Sequence, residues 1–482
     1  MNRQLFILPI AAALFLNGCS MAPKYVRPES PVPNEWPSGA AYKENKADAN
    51  APAVSELKWR EFFTDERLIK IIETALQNNR DLRIAGLNVE KARGIYGIRR
   101  AELLPIINAT GNMNKQRVPA DLSASGKSAT TEKYSVDLGM ASWEIDFFGY
   151  LTSLKDRALK EYLATEEARR GAQILLISEV AGAYLTFAAD IENLRLAQST
   201  LDAQQAAYDL IKRRYDNGLA QELDLLQVQT RVDSARVDIA LYTRLTAQDE
   251  TALNLLAGVT VPSELLPESL ASINQPKEIS AGISSEALLN RPDVLQAENI
   301  LKAANANIGA ARAALFPRIA LTTSVGTASS ELSGLFRSGS STWTFAPQIV
   351  MPIFDPRAWS ALKVSKTEQK IVLAQYEKAI QKAFKEVADT LAVQGTIDQQ
   401  LSAQQSLANA AAETYRLSDT RYAKGIDSYL GVIDAHRSLY AAEQGLVSFR
   451  LAKLVNHIKL YAVLGGGADS VDDANSQKEA RK

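Results

Sequence analysis

Residues 421–440 read RYAKGIDSYLGVIDAHRSLY, and their opening, Arg421-Tyr422-x-x-Gly425, repeats Arg214-Tyr215-x-x-Gly218 from 207 positions upstream. The echo extends outward from both turns. Glu386-Val387-Ala388 repeats Glu179-Val180-Ala181. Asp293, Val294, Ala297, Ala304, Arg312, Ala313 and Pro317 repeat Asp81, Leu82, Ala85, Ala92, Arg100, Ala101 and Pro105, at an offset of 212. Self-similarity at a nearly constant offset marks a chain built of two copies of one unit. Each half reads as helix, β-hairpin, long helix, turn and returning helix.

Proline is absent between Pro119 and Pro262 and again after Pro356, and both stretches are rich in helix-forming Ala, Gln and Leu. In the first, Val180, Tyr184, Phe187, Ile191, Leu194, Gln198, Leu201, Gln205 and Tyr208 recur at alternating steps of four and three. Tyr440, Gln444, Val447, Leu451, Leu454, Ile458 and Tyr461 do the same near the end. This heptad period predicts left-handed coiled-coil packing. A single helix from about residue 150 to 217, broken at Asn217-Gly218, would be on the order of 100 Å long.

Four segments change to a period of two. Ile319, Leu321, Thr323 and Val325 alternate, as do Trp343, Phe345, Ile349, Met351 and Ile353. Tyr134, Val136, Leu138 and Met140 alternate, the phase slips near Ala141, and Trp143, Ile145 and Phe147 continue. Ile106 to Arg117 is a weaker partner. Turns at Ser123-Ala124-Ser125-Gly126 and Ser338-Gly339-Ser340-Ser341 join them into two hairpins. Alternating segments of this length suit a membrane β-barrel. Four strands cannot close one, and open edges cannot sit in lipid, where each unpaired backbone group costs several kcal/mol. The barrel must then be shared. Two chains give eight strands, enough only for side chains or one small ligand; three chains give twelve and room for a conduit.

The N-terminus predicts the compartment. Arg3 and the apolar run Leu5–Leu16, too short to span a bilayer, read as a signal peptide. Leu16-Asn17-Gly18-Cys19 resembles a lipobox, and Cys19 is the chain's single cysteine. Acylation there would anchor the chain, at about 0.8 kcal/mol per buried CH₂; Ser20 in the next position implies outer-membrane sorting. Seven of the 17 prolines lie in residues 1–52, so the segment after Cys19 reads as an extended linker.

Composition excludes several classes. With 54 Lys+Arg against 55 Asp+Glu the net charge is −1, which argues against a nucleic-acid partner. One Cys and two His, His436 and His457, leave no set for a Cys/His zinc site, and no EF-hand loop is present. Gly126-Lys127-Ser128 resembles the end of a P-loop, but position 121 is Asp121 where Gly is required. There is no G-x-S-x-G elbow. The chain is expected to be no enzyme and to carry no cofactor or metal.

Taken together, Leu16-x-Gly18-Cys19, the duplicated Tyr-x-x-Gly turns, Asp427-Ser428-Tyr429-Leu430 with Asp434-Ala435-x-Arg437-Ser438-Leu439-Tyr440, and the closing Leu464-Gly465-Gly466-Gly467 resemble the outer-membrane factors of tripartite efflux pumps, the TolC/OprM family, in its lipoprotein OprM branch. The likeness covers about residues 19–467. It implies a mainly α fold with membrane β: a homotrimer with a shared 12-stranded barrel continuing into a periplasmic α-helical coiled-coil tunnel. It implies a periplasmic adaptor and an inner-membrane RND-type transporter as partners, outer-membrane lipid around the barrel, and export of drugs and other small toxic compounds. It also implies a periplasmic gate at the tip turns, which carry Tyr215, Gly218 and Gly425. Leu430, Asp434 and Arg437 stand where OprM has its gate leucine, aspartate and arginine. Asp224 matches a gate-linking aspartate of TolC, and Tyr422 the tyrosine that ties the inner coiled coil to its neighbour. Gly431 replaces a further ring aspartate, and Asp427 replaces an arginine, so that salt link is lost. By spacing alone Asp434 and Arg437 are an exposed i,i+3 pair worth at most ~1 kcal/mol.

The expected organisation is a lipoprotein signal peptide at 1–18, an acylated Pro-rich linker at 19–60, repeat 1 at 61–270, repeat 2 at 271–467 and a disordered tail at 468–482. Two other readings use the same features: an exit duct for type I protein secretion, and a non-conducting coiled-coil envelope lipoprotein. The second has no need of four alternating strands.

Overall fold

The computed structural model describes residues 20–42, 54, 57–280 and 284–467. The expected signal peptide at 1–18, the expected lipidation site Cys19 and the expected tail at 468–482 lie outside the described residues. The chain runs α1 (Trp59–Phe62), α2 (Glu66–Asn78), α3 (Arg80–Ala101), β1 (Asn108–Val118), β2 (Ala129–Ile145), α4 (Tyr150–Asp216), α5 (Glu222–Ala257), α6 (Pro292–Ala313), β3 (Arg318–Ser329), β4 (Ser341–Val350), α7 (Pro356–Ala423) and α8 (Tyr429–Val463). The halves match in length: α3 and α6 have 22 residues each, α4 and α7 have 67 and 68, and α5 and α8 have 36 and 35.

Backbone contacts divide the chain into two compact units that cut across the repeats. One contains Asn88–Thr165 and Gln296–Tyr376 with the described chain up to Glu29; the other contains Ser30–Leu87, Glu166–Leu295 and the described chain from Glu377.

The first unit holds one antiparallel sheet in the order β1-β2-β3-β4. The weak first strand begins at Asn108, two residues later than its apolar start at Ile106 indicates. The phase slip near Ala141 is real: the β2–β3 register shifts between Met140 and Trp143, and Ser142 takes φ 55°. β1 and β4 each pair on one side only within the described chain. Trp343, Phe345 and Ile349 on β4 are 78%, 62% and 68% exposed, an apolar row with nothing against it in the single chain. The segment after Ser20 straps onto α6. Arg27 bonds Glu298 through Nε at 3.0 Å and Nη2 at 2.7 Å, and the Tyr25 hydroxyl donates to the same carboxylate at 3.0 Å. The Lys302 ammonium lies 3.0 Å from it as well.

In the second unit α2 starts on a side-chain cap, Asp65 accepting from the backbone N–H groups of Arg67 and Leu68. The core is built on Phe62, Ile71, Ile72, Tyr184 and Tyr461, all within 1% of full burial. Tyr461 stacks on Phe62 at 4.0 Å and donates its hydroxyl to the Leu57 carbonyl at 2.6 Å. His457 is a packing residue: its Nε2 meets the Lys277 carbonyl at 2.8 Å and its ring stacks on Phe62. Gly466 is small of necessity, since a Cβ there would lie 2.3 Å from the Tyr461 ring. Arg291, 10% exposed, joins Asp293, Glu386 and the Val463 carbonyl.

The predicted seam of α4 is buried at Val180, Tyr184 and Phe187. Toward the turn the residues buried within the chain are Ala197, Gln204 and Ile211, a different seven-residue series. There α4 packs on two helices at once: Ile211 clusters with Val228 of α5 and Ile433 of α8.

Candidate functional site

The two turns are built alike. Gly218 and Gly425 take φ 74° and 71°, the left-handed region that favours glycine. The Gly218 N–H bonds the Tyr215 carbonyl and the Leu219 N–H bonds the Arg214 carbonyl, at 2.8 and 2.7 Å. Gly425 to Tyr422 and Ile426 to Arg421 repeat the pattern at 2.8 and 3.0 Å. Each is a Schellman cap that satisfies the last carbonyls of a long helix. Both turns leave large apolar side chains in the open: Leu219 and Leu223 in the first, Ile426 and Leu430 in the second, each more than half exposed.

The structure gathers part of the sequence-indicated set. The Tyr422 hydroxyl accepts from Arg214 Nη1 at 2.7 Å, the Arg214 guanidinium stands 5.5 Å over the Tyr422 ring, and Tyr429 meets Tyr422 edge-on at 4.9 Å. This ties the end of α4 to the end of α7. Asp224 serves its own helix, accepting from the Gln221 backbone N–H at 3.3 Å in a capping box. Tyr215 is 39% exposed, and its link to the set is through its backbone carbonyl, which accepts from the Gly218 N–H at 2.8 Å. Asp434 and Arg437 pair with each other on α8, both more than 60% exposed, and Leu430 is 57% exposed one turn earlier.

Packing outweighs charge in holding α8 here. The Asp434–Arg437 pair contributes at most ~1 kcal/mol. Burial of Ile211, Val228 and Ile433, each under 5% exposed, contributes about 1.5–3 kcal/mol per side chain.

Three features escaped the sequence reading. Asp427 makes a salt link within its own turn: Arg421 Nε reaches its Oδ2 at 2.5 Å and Nη2 its Oδ1 at 3.1 Å. That hydrogen bond with the guanidinium holds the Asp427 carboxyl below the usual range. A six-residue separation across a glycine turn is the one signal of it. Second, a cavity of about 590 Å³ lies between the two helical hairpins, lined among others by Gln204, Arg214, Tyr415, Asp419, Tyr422 and His436. Third, cross-links run between the hairpins farther along: Tyr440 donates to Asp238 at 3.1 Å and Gln444 to the Tyr242 hydroxyl at 3.1 Å. Among the described residues no group of His, Cys, Asp and Glu could hold a metal ion.

The family described as "Outer membrane efflux protein" matches by its sequence model at residues 71–259 and 283–466, one segment in each half. The probable efflux pump outer membrane protein TtgC of Pseudomonas putida is 44% identical over 480 residues, covering 99% of this chain and 98% of that protein. The outer membrane protein OprJ of Pseudomonas aeruginosa is 41% identical over 461 residues, covering 95% of each. The crystal structure of the open state of the MtrE outer membrane channel of Neisseria gonorrhoeae superposes with a TM-score of 0.84 at 37% identity, over 94% of this chain and 99% of that one.

Proposed function

The chain belongs to the outer membrane efflux protein family, and from that premise we propose that three copies form the exit channel of a tripartite pump that exports drugs, solvents and other small toxic compounds. It is a transport protein of the outer membrane with a periplasmic helical part, and not an enzyme.

The observation that carries the reading is the sheet. Four strands with two unpaired edges and an exposed apolar row on β4 are stable in lipid only when β1 of one copy pairs with β4 of the next. Twelve strands leave a lumen that eight would fill. The helical hairpins then line the periplasmic tunnel and end at the two glycine turns, whose open Leu219, Leu223, Ile426 and Leu430 suit an apolar contact with a periplasmic adaptor. An RND-type transporter in the inner membrane supplies the driving force and the choice of substrate. Acylation of Cys19 supplies a second hold on the membrane, and the strap from Tyr25 to Arg27 fixes the linker to α6 a few residues later.

At the tip, Leu430, Asp434 and Arg437 would form the gate, with Tyr422 and Asp224 steadying the turns. Three copies of Asp434 about a threefold axis concentrate negative charge and favour cations at the constriction. A protein-secretion duct has no support from relatives named for efflux, and an envelope spacer leaves the sheet without a purpose.

The test is conductance in a planar bilayer for the acylated, detergent-purified chain and for D434A/R437A. Rare, small openings in the wild type and frequent, larger ones in the double variant are expected. Equal, large conductance in both removes the pair from the gate. No conductance in either, with trimers inserted, overturns the channel reading.

A further inference from the structure

His436 lies two residues after Asp434 and one before Arg437, yet it faces the other way. Asp434 and Arg437 are open to solvent, while His436 is turned into the cavity between the hairpins. Its Nδ1 stands 3.0 Å from Nε2 of Gln204 on α4, a residue 6% exposed. The edge of the Tyr415 ring, from α7, meets the imidazole at 4.9 Å and 76°. The flanking Val432, Ile433 and Ala435 are buried. One side chain thus touches α4 and α7 at once, from the turn of α8 that carries the proposed gate pair.

We propose that His436 is a positioning residue for the gate: its neutral imidazole, hydrogen-bonded to Gln204 and packed on Tyr415, holds the Asp434–Arg437 turn of α8 against the first-repeat hairpin. The proposal rests on the gate reading above and adds to it the element that sets the resting position and its dependence on pH.

The surroundings are poorly suited to an imidazolium. Burial, and after it the Arg231 guanidinium of α5, push the imidazole below the ordinary value of 6.5. Nε of Arg231 is itself buried without a hydrogen-bond partner. From α4, Arg214 adds a second positive charge to the cavity lining. From α7, Tyr415 is neutral and Asp419, the acidic residue of the lining, is solvent-exposed, where water screens its charge. From α8 itself, Tyr429 lines the cavity and is neutral, and the Asp434 carboxylate is taken by Arg437.

Protonation has a definite direction here. Above pH 6.5 the imidazole is neutral in packed and loosened states alike, and the packing is at full strength. As pH falls below 6.5, a loosened state that exposes His436 to water takes up the proton first, so the packed state loses ground. The closed tip is therefore expected to weaken in mild acid.

The test is single-channel recording of the full acylated chain as wild type, H436Q, H436A and D434A/R437A, from about pH 7.5 to about pH 5.5, the range in which histidine titrates. Wild-type open probability should rise several-fold across that range. H436Q keeps an acceptor for Gln204 and cannot titrate, so it should stay closed and flat with pH. H436A should open at both ends of the range. A wild-type pH response retained in H436Q overturns the proposal by assigning the response to other groups, the gate carboxylates included. An H436A channel as closed as wild type at neutral pH overturns it too. If H436A fails to assemble, the H436Q profile alone decides. If D434A/R437A stays closed while the His436 variants behave as expected, the gate pair is wrong and the positioning role stands. If D434A/R437A opens and the His436 variants match wild type, the reverse holds.

Discussion

Arg421 and Asp427 close the second glycine turn on itself, with hydrogen bonds of 2.5 and 3.1 Å between guanidinium and carboxylate across Gly425. The first turn has Ala220 at the matching position and no such bond. The pair is exposed, so its effect is local order and not global stability. D427N should leave the melting temperature unchanged and speed trypsin cleavage after Arg421, followed by the appearance of a fragment ending there. The hydrogen bond with Arg421 holds the Asp427 carboxyl below its ordinary 3.8, so its contribution is lost only in stronger acid. The wild-type protection should therefore be constant throughout the range in which trypsin works. Equal cleavage of both proteins would show the turn to be ordered by its Schellman bonds alone.

The glycines separate two kinds of constraint. Gly425 has positive φ and open space around its Cβ position, so G425A meets only backbone strain, about 1–2 kcal/mol. Gly466 lacks positive φ but faces the Tyr461 ring at 2.3 Å, so G466A must displace a stacked, fully buried aromatic, at about 1–3 kcal/mol or more. Thermal denaturation of detergent-solubilised protein should place G466A at or below G425A. Adding Y461A should remove the penalty of G466A and leave that of G425A, a double-mutant cycle that reads the contact directly.

Long-range periodicity was the legible part of this chain. A helix read as beginning near residue 150 and stopping at Asn217-Gly218 is found as Tyr150–Asp216, because proline-free heptads and a Schellman glycine leave no other place to begin or stop. The strand slip at Ala141 was visible because period two cannot absorb an extra residue without changing face. Contacts between hairpins were not visible. Gln204 and His436 are 232 residues apart, and Gln204 sits one position off the seam read from α4. A glutamine beside an apolar stripe carries no signal until the partner helix is in place. Asp224 shows a different limit: the resemblance marks it for the gate, and the capping box it makes within its own helix was not read from the sequence.

Asp190 of α4 and Asp249 of α5 face each other inside the first hairpin. Burial, and after it the Asp190 carboxylate, raise the Asp249 carboxyl from 3.8 to about 6. A carboxyl raised in this way stabilises the folded chain below pH 3.8 and loses that contribution as pH rises through about 6. At neutral pH two like charges oppose each other there. D249N should therefore raise the unfolding free energy at about pH 7.5 by roughly 1 kcal/mol once solvent screening is allowed for, seen as a higher melting temperature, and have little effect at about pH 4. A variant that is destabilised at neutral pH would mean that the Asp249 carboxylate has a favourable role outweighing the repulsion.

Glu298 works in the opposite sense. Burial pushes its carboxyl up, but the hydrogen bonds from Arg27, Lys302 and Tyr25 outweigh burial and bring it from 4.5 to about 2. The strap's contribution is therefore present above pH 4.5 and fades as pH falls from 4.5 toward about 2. E298Q retains the shape and one acceptor but loses the ion pair with Arg27. Its N-terminal segment should be released to a protease such as thermolysin at neutral pH, with cleavage near Tyr25, while the rest of the chain stays intact. The wild type should show the same loosening only after exposure to strong acid, followed by hydrogen exchange over residues 20–36. R27A should match E298Q, since each removes half of one pair. If both variants keep the segment protected, the strap is held by its backbone contacts instead, through the Arg312 guanidinium on the Met21 carbonyl and the Asn305 amide on the Pro23 carbonyl at 3.0 and 2.7 Å.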